Sequence, residues 1–153
     1  MDLILWRHAD AEDWQEGCDD LARPLTSRGL KQAARISGWL DRKLPEGTRV
    51  VCSPALRCCQ TADALGRKYK VRPELAPDGS VAALLEAAQW PHSRQAVVVV
   101  GHQPLLGGVI AKLLPFDADT FPVRKGAVWW LRTRERDGHS QTVVAAVQSP
   151  DTV

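Results

Sequence analysis

The sequence predicts an α/β fold in which helices cover both faces of a mostly parallel sheet with an antiparallel edge. Short apolar runs that suit buried strands alternate along the chain with amphipathic segments that suit helices. Residues 96–100 include four consecutive valines, a pattern typical of a central strand covered on both faces. Two strand-like runs joined by a tight turn close the chain and predict the antiparallel edge.

The first elements are a strand, a helix and a second strand. Residues 3–6 form a short apolar run that suits a buried strand, and residues 50–51 mark another. Thr26 is predicted to cap the helix between them, which the Pro-Glu-Gly sequence at 45–47 ends. Six residues share one face of this helix and are expected to be buried: Leu30, Ala33, Ala34, Ser37, Leu40 and Leu44.

Three further helices are predicted along the rest of the chain. Ser53 followed by Pro54 is typical of a helix start, with serine as the cap, and this helix is expected to reach about residue 69. Residues 79–90 have an amphipathic pattern, and residues 104–114 follow the valine strand as a last helix. Helices thus separate the strands, as right-handed parallel crossovers require.

The closing strand pair is predicted at residues 127–133 and 141–147, with a turn near 137–138. Trp129 and Trp130 are neighbours on the first of these strands. Because successive side chains of a strand point to opposite faces, one of the two is expected to be buried and the other exposed.

Bulk properties predict one domain over residues 1–153 and say little about partners. The net charge of +2 and the absence of a basic run give no indication of nucleic-acid binding. The chain begins without a signal-peptide pattern, and no apolar run approaches the ~20 residues needed to cross a bilayer. A cytoplasmic location with no membrane contact is therefore expected.

Four cysteines occur, at positions 18, 52, 58 and 59. Their spacing contains no C-x-x-C pair, and the adjacent Cys58 and Cys59 would point to different faces of a helix. With no export signal, we interpret them as ordinary reduced thiols and predict no metal site.

Arginines and histidines follow three of the predicted strands. Arg7 and His8 end the first strand, Arg57 begins the helix after the second, and His102 follows the valine strand. Taken alone, Arg7 and His8 suit a strand end that turns to solvent, Arg57 suits a solvated first turn of a helix, and His102 suits a structural role. Since ligands bind at the carboxyl ends of parallel strands, all four are expected to converge on one pocket.

Two guanidiniums and two imidazoles in one pocket favour a compact dianion. Arginine binds phosphate bidentately, and phosphoryl transfer depends mainly on positioning and charge stabilisation. An imidazole can act as the nucleophile when its other nitrogen is held by a hydrogen-bond acceptor. The sequence has neither a Walker loop nor clustered aspartates, which favours a route without metal or other cofactor.

Three segments carry a resemblance to a known family. Leu-Trp-Arg-His-Ala at 5–9 resembles the Arg-His-Gly signature of the histidine phosphatase superfamily, which also contains the phosphoglycerate mutases. Ser-Pro-Ala-Leu-Arg-Cys-Cys-Gln-Thr-Ala at 53–62 and Val-Gly-His-Gln-Pro at 100–104 are similar to its second and third signatures. The resemblance implies a three-layer, phosphoglycerate mutase-like fold.

The resemblance also implies a role for each matching residue. His8 corresponds to the nucleophile that becomes phosphorylated, Arg7 and Arg57 to the arginines that clamp the phosphate, and His102 to the second catalytic histidine. Ala9 stands where most members have glycine. Its Cβ indicates that the backbone there does not adopt a conformation open only to glycine.

The short chain is similar to the SixA-type phosphohistidine phosphatases of this family, and residues 20–26 also resemble theirs. This resemblance implies that Asp20 and Arg23 contact the substrate, although a polar loop leading into a helix cap would look the same. An open pocket suits a phosphoryl group presented by another protein. The expected partner is a histidine phosphotransfer domain, and phosphate is expected in the active site.

The general acid and the substrate leave alternatives open. Glu74, Asp10 and Asp78 are each possible acids, and the sequence does not choose among them. A small-molecule phosphomonoesterase would use the same site with a different rim. A non-catalytic module that binds phosphoproteins is disfavoured because the nucleophile and both clamping arginines are present, and a mutase is disfavoured by the chain length. Oligomeric state is not indicated.

Overall fold

The computed structural model describes residues 1–153 and contains six strands and four α-helices. The strands are β1 (Asp2–Arg7), β2 (Arg49–Cys52), β3 (Lys70–Val71), β4 (Val97–Gly101), β5 (Val128–Arg136) and β6 (His139–Gln148). The helices are α1 (Ser27–Lys43), α2 (Leu56–Asp63), α3 (Val81–Ala87) and α4 (Leu105–Leu113). Two short 3-10 helices lie at Asp20–Ala22 and Pro73–Leu75.

All six strands join one sheet in the order β3-β2-β4-β1-β5-β6. Strands β1 to β4 are parallel to one another, β5 is antiparallel to β1, and β6 is antiparallel to β5. The predicted parallel sheet with an antiparallel edge is therefore confirmed. Parallel neighbours need crossover connections, and the helices supply them.

Alternate strand residues fill two cores on opposite faces of the sheet. Leu3 and Leu5 of β1 point to the core beneath α3 and α4, whereas Ile4 and Trp6 point to the core beneath α1 and α2. All five residues of β4 are buried, as the valine run predicts. The protein is thus a three-layer α/β/α sandwich, and no helix has the length and apolar character needed to span a membrane.

Helix α1 begins as predicted but buries a partly different face. The Thr26 hydroxyl accepts a hydrogen bond from the amide of Gly29, which confirms the cap. Leu30 and Ala34 were expected in the core and are exposed, whereas Gly29 and Ile36 are buried. The expectation was wrong by about one helical position, because the face that meets the sheet lies beside Leu30 and Ala34.

Helix α2 is shorter at both ends than the predicted segment 53–69. The Ser53 hydroxyl accepts from the amide of Ala55 at 3.2 Å and caps no helical turn, so regular structure begins only at Leu56. At the other end, Gly66 has a φ of 70°, a left-handed conformation that stops a helix. The two exposed residues of β3 follow and have no sequence pattern that would predict a strand.

Helices α3 and α4 lie inside their predicted segments. For α3, the Ser80 hydroxyl caps the first turn by accepting from the amide of Ala83, and Gln89, with a φ of 58°, lies just beyond its end. The predicted bounds 79–90 were therefore too wide. The bounds 104–114 predicted for α4 exceed the observed helix by one residue at each end.

The closing hairpin is confirmed, with its turn at Asp137 and Gly138, which both have positive φ. Trp130 is buried at 6% exposure against the α1 side. Trp129 was expected to be exposed and is instead half-buried, because Phe121 packs edge-on against it at a centroid distance of 4.9 Å.

Candidate active site

Three strand ends of the parallel sheet meet at one small pocket. His8 follows the last residue of β1, His102 follows the last residue of β4, and Arg57 lies in the first turn of α2, just beyond β2. The amide of His8 donates to the carbonyl of Gly101 at 3.1 Å, which ties two of these ends together. Arg7, His8, Arg57 and His102 all line a pocket of about 210 Å³. The predicted convergence is therefore what the structure shows.

The imidazole of His8 is buried and held in one orientation. Its Nδ1 lies 2.7 Å from the carbonyl oxygen of Ala9, so Nδ1–H donates there and Nε2 carries the free lone pair. Burial, followed by the nearby charges of Arg57 and Arg7, lowers the pKa of His8 to about 4. His8 is thus neutral near pH 7. Ala9 does not have a positive φ, which agrees with the expectation from its Cβ.

His102 is equally buried and is fixed through both ring nitrogens. Nε2 lies 2.7 Å from the hydroxyl oxygen of Ser53, and Nδ1 lies 3.5 Å from Nη2 of Arg57. A guanidinium only donates, so Nδ1 accepts and Nε2–H donates to Ser53. Burial, followed by the charge of Arg57, lowers the pKa of His102 to about 3. The two histidine rings lie 5.4 Å apart.

Asp20 joins two arginines at the pocket wall. Arg57 donates through Nη1 to the Asp20 carbonyl at 2.7 Å and through Nη2 to the Asp20 carboxylate at 3.1 Å. Arg23 donates to the other carboxylate oxygen at 2.9 Å. Burial opposes ionisation of Asp20, but the hydrogen bond from Arg23 and the charge of Arg57 hold its pKa below the usual value. Arg23 lines the pocket, whereas Asp20 lies outside its lining.

The pocket holds more donors than its own acceptors satisfy. Nη1 of Arg7 donates to the carbonyl of Val123 at 2.8 Å, but no carboxylate pairs with Arg7. The Nε atoms of Arg7 and Arg57 are buried without any hydrogen-bond partner. Burial also lowers the pKa of Arg7 below its usual value. Buried donors beside uncompensated positive charge make this a site for an anion.

Loop residues complete the pocket and were not predicted. Five of them line it beside the arginines and histidines: Ala11, Asp13, Pro77, Gln103 and Lys125. They come from loops whose course no periodic pattern predicts. Ser53 was also missed as a site residue, although its position in the second signature was a signal, because we interpreted it only as a helix cap.

None of the three possible acids lines the pocket. Glu74 pairs with Arg72 at 3.2 Å on the exposed surface. Asp10 accepts from the Thr26 hydroxyl at 2.8 Å and from Lys125 at 3.1 Å. The carboxylate that does line the pocket belongs to Asp13.

All four cysteines are free thiols, and three of them contact Ser53 or His102. Cys52 and Cys58 are buried, Cys59 is half-buried and Cys18 is exposed. The Sγ atom of Cys58 lies 3.4 Å from Nε2 of His102, and burial raises the pKa of this thiol to about 12. It is therefore a neutral packing partner of the histidine.

The two depressed histidine pKa values predict a loss of stability in mild acid. Below pH 6.5 the unfolded chain protonates both imidazoles, whereas the folded state keeps them neutral down to about pH 4 for His8 and about pH 3 for His102. The unfolded state then binds more protons, so the free energy of unfolding falls as the pH falls. Between about pH 7 and about pH 5 each histidine is expected to cost roughly 2 kcal/mol.

Urea denaturation at the two pH values measures this effect. The variant His8→Asn should lose about 2 kcal/mol less than the unsubstituted protein over the same interval, since it lacks one of the two groups. His139→Asn, at an exposed position on the hairpin, serves as the control and should behave as the unsubstituted protein does. Equal losses in all three proteins would show that His8 is not neutralised by folding.

Known proteins share this sequence and this geometry. Residues 3–78 match the model of the histidine phosphatase superfamily (branch 1). The chain is 34% identical over 124 residues to phosphohistidine phosphatase SixA of Escherichia coli (strain K12), an alignment that covers 75% of each chain.

Solved structures give the same relationship. A structure of the protein histidine phosphatase SixA complexed with tungstate superposes with a TM-score of 0.79 at 28% identity, over 99% of each chain. A putative SixA from Nakamurella multipartitia gives a TM-score of 0.79 at 30% identity, over 97% of this chain and 95% of that one. Both the sequence and the fold agree, and the chain belongs to the histidine phosphatase superfamily, in its SixA branch.

Proposed function

We propose that this chain is a phosphatase that removes the phosphoryl group from a phosphohistidine of another protein and carries it transiently on His8. The observation that supports this proposal most directly is the state of His8. Its imidazole is neutral, its Nδ1 is tied to the Ala9 carbonyl at 2.7 Å, and its other nitrogen is free among three guanidiniums.

In the first step, the lone pair on Nε2 of His8 attacks phosphorus in line with the departing nitrogen. The substrate phosphohistidine reacts with a proton on its other ring nitrogen. A new N–P bond forms as the N–P bond of the substrate breaks, and the substrate imidazole takes the electron pair and leaves as a neutral group. Arg7, Arg57 and Arg23 line the pocket and hold the equatorial oxygens through their guanidinium groups. Asp20 acts as a positioning residue, because it holds two of these arginines.

In the second step, water attacks the phosphoryl group on His8. An O–P bond forms, the N–P bond breaks, and the proton of the attacking water passes to the departing phosphate. His8 returns to its neutral form with Nδ1–H still bound to the Ala9 carbonyl. Burial lowers the pKa of His102 most, and the charge of Arg57 lowers it further; a bound dianion offsets the second cause and so raises this pKa.

The pocket's chemistry suits an imidazole leaving group. An alkoxide leaves poorly and needs a general acid, whereas imidazole leaves phosphohistidine readily. Glu74 and Asp78 lie outside the pocket lining, and Asp10 is bound by Thr26 and Lys125. Asp13, the carboxylate that lines the pocket, is exposed, so the site holds no buried carboxylic acid. Such a site is sufficient for phosphohistidine and poorly equipped for a phosphate ester.

The pocket's open rim suits a substrate presented by a protein. The segment between α2 and β4 contributes only Pro77 to the pocket lining, and no long insertion covers the site. A histidine phosphotransfer domain is the partner we propose.

A comparison of two substrate classes, with a chelator present throughout, tests this proposal. One is a histidine-phosphorylated phosphotransfer domain, and the other is p-nitrophenyl phosphate with a panel of phosphate monoesters. We expect rapid, chelator-resistant release of phosphate from the phosphoprotein and slow hydrolysis of every ester. Rapid hydrolysis of one small ester, with no phosphate released from the phosphoprotein, would contradict the proposed protein substrate. It would favour the alternative of a small-molecule phosphomonoesterase.

Ser53 is expected to support the reaction through His102. Replacing Ser53 with alanine removes the oxygen 2.7 Å from Nε2 and leaves this ring nitrogen without its partner. We expect kcat to fall by roughly 10-fold with little change in KM, because loss of one positioning hydrogen bond costs on the order of 1 kcal/mol. Steady-state kinetics measure both parameters.

Ser37→Ala is the matched control for this variant. Ser37 is also buried, but its hydroxyl bonds only to the Ala34 carbonyl within α1. A fall in kcat of similar size in both variants would attribute the effect to general destabilisation rather than to His102.

A further inference from the structure

A basic surface begins at the pocket rim and extends along α1. It consists of Arg28, Lys31 and Arg35 on the helix and Arg124 and Lys125 in the loop before β5, and we call it the basic face. All five side chains are exposed. The spacing of three and four residues places the helical members on one side of α1, and they span about 10 Å at 1.5 Å per residue.

The basic face is continuous with the catalytic pocket. Lys125 lines the pocket and lies 3.1 Å from a carboxylate oxygen of Asp10. The amide of Asp10 donates to the Gln32 side chain at 2.9 Å, which joins this rim to α1. Arg28, Lys31 and Arg35 then line a shallow depression of about 310 Å³ beside Gln32.

Most of this charge is not compensated within the chain. Asp10 pairs with Lys125, and Asp151 pairs with Arg124 at 3.3 Å. Asp151 also lines the depression beside the three helical residues, but no carboxylate lies within ion-pair distance of them. Arg35 donates only to the Pro150 carbonyl, at 3.5 Å. Five cations against two carboxylates leave an excess that is larger than the net charge of +2 of the whole chain.

Another stretch of the pocket rim carries the opposite charge. The loop that carries Asp13 into the pocket wall is acidic along its exposed length, with Glu12, Glu16 and Asp19 as its other members. The charge therefore differs in sign between two stretches of the rim, and a partner with a matching polarity would be oriented as it approaches. A small phosphate compound contacts only the centre of this field.

We propose that the basic face is the docking surface for an acidic patch beside the phosphohistidine of the substrate protein. This inference rests on the proposed function and adds the charge that the partner must carry and the side on which it must carry it. Because long-range attraction steers the encounter, the basic face acts on the binding of the phosphoprotein and not on the chemical step.

Paired charge reversals test the docking surface. The variant Lys31→Glu with Arg35→Glu alters the basic face at exposed positions outside the catalytic pocket. Its matched control is Arg134→Glu with Arg136→Glu, which makes the same change in net charge. These residues lie at the hairpin end of β5, at the end of the sheet opposite the pocket. The substrates are a histidine-phosphorylated phosphotransfer domain of acidic pI and the small compound phosphoramidate.

At low ionic strength we expect kcat/KM of the α1 variant for the phosphoprotein to fall by roughly 10-fold through KM, and the deficit to shrink in high salt. Turnover of phosphoramidate should be unchanged, and the control should match the unsubstituted protein on both substrates. An α1 variant that equals the control at low salt, or that loses phosphoramidate turnover to the same extent, would overturn the docking inference alone. If the unsubstituted protein released no phosphate from the phosphoprotein, both the proposed function and the docking inference would be overturned.

Discussion

Replacement of His8 with alanine is expected to reduce phosphohistidine hydrolysis by at least about 10⁴-fold, because loss of the nucleophile removes the covalent route entirely. His102 cannot act as the nucleophile in its stead, because both of its ring nitrogens are hydrogen-bonded, to Ser53 and to Arg57. Release of phosphate from the phosphoprotein, followed over hours, measures the residual rate.

The control for this variant is His139→Ala, which removes an exposed histidine from the hairpin. It should retain full activity. Circular dichroism of both variants checks that they are folded, since neutral His8 lies within the packed pocket. Turnover by His8→Ala close to that of the unsubstituted protein would rule out the mechanism, whatever the substrate.

Replacement of Arg57 with alanine is expected to weaken phosphate binding and slow the reaction together. Arg57 is 3% exposed, faces His102 and is held by the carbonyl and carboxylate of Asp20. Its loss removes a bidentate cation and leaves Asp20 paired only with Arg23. We expect kcat/KM to fall by roughly 10³-fold, with inorganic phosphate binding weakened in calorimetry.

Arg57→Lys separates charge from geometry at the same position. Lysine keeps the positive charge but lacks the planar fork, so we expect it to recover part of the phosphate affinity and little of kcat. Arg67→Ala is the surface control, because it breaks an ion pair with Asp41 (3.1 Å) outside the pocket lining. Unchanged phosphate affinity in Arg57→Ala would contradict the role of this arginine as a clamp.

The position of the four central residues follows from the sequence because regular structure determines it. Strand patterns place Arg7, His8 and His102 at strand ends, and parallel topology brings those ends to one edge. Arg57 follows because α2 starts directly after β2, although its predicted cap was wrong. The hydrophobic pattern therefore predicts the position of a site residue correctly where that residue lies at or just after the end of a strand.

Other parts of the site depend on loops that no periodic pattern describes. Asp20 was expected to contact the substrate; in the structure its carboxylate pairs with Arg23 and Arg57, and its contact with the substrate stays a prediction. Lys125 reaches the pocket only because its loop crosses to Asp10. The predicted length of α2 was wrong for a local reason. Gly66 adopts a left-handed conformation that ends the helix, and the amphipathic pattern around it gave no sign of this.

The most direct test of the central claim is to trap the phosphorylated enzyme and locate its phosphate. Mixing with excess phosphoprotein, quenching within milliseconds in alkali and peptide mapping by mass spectrometry give the residue, and proton–phosphorus correlation NMR gives the ring nitrogen. The hydrogen bond from Nδ1 of His8 to the Ala9 carbonyl predicts phosphate on Nε2 of His8 and on no other residue. Phosphate on Nδ1, on another side chain, or no phosphorylated enzyme during rapid turnover would contradict the mechanism.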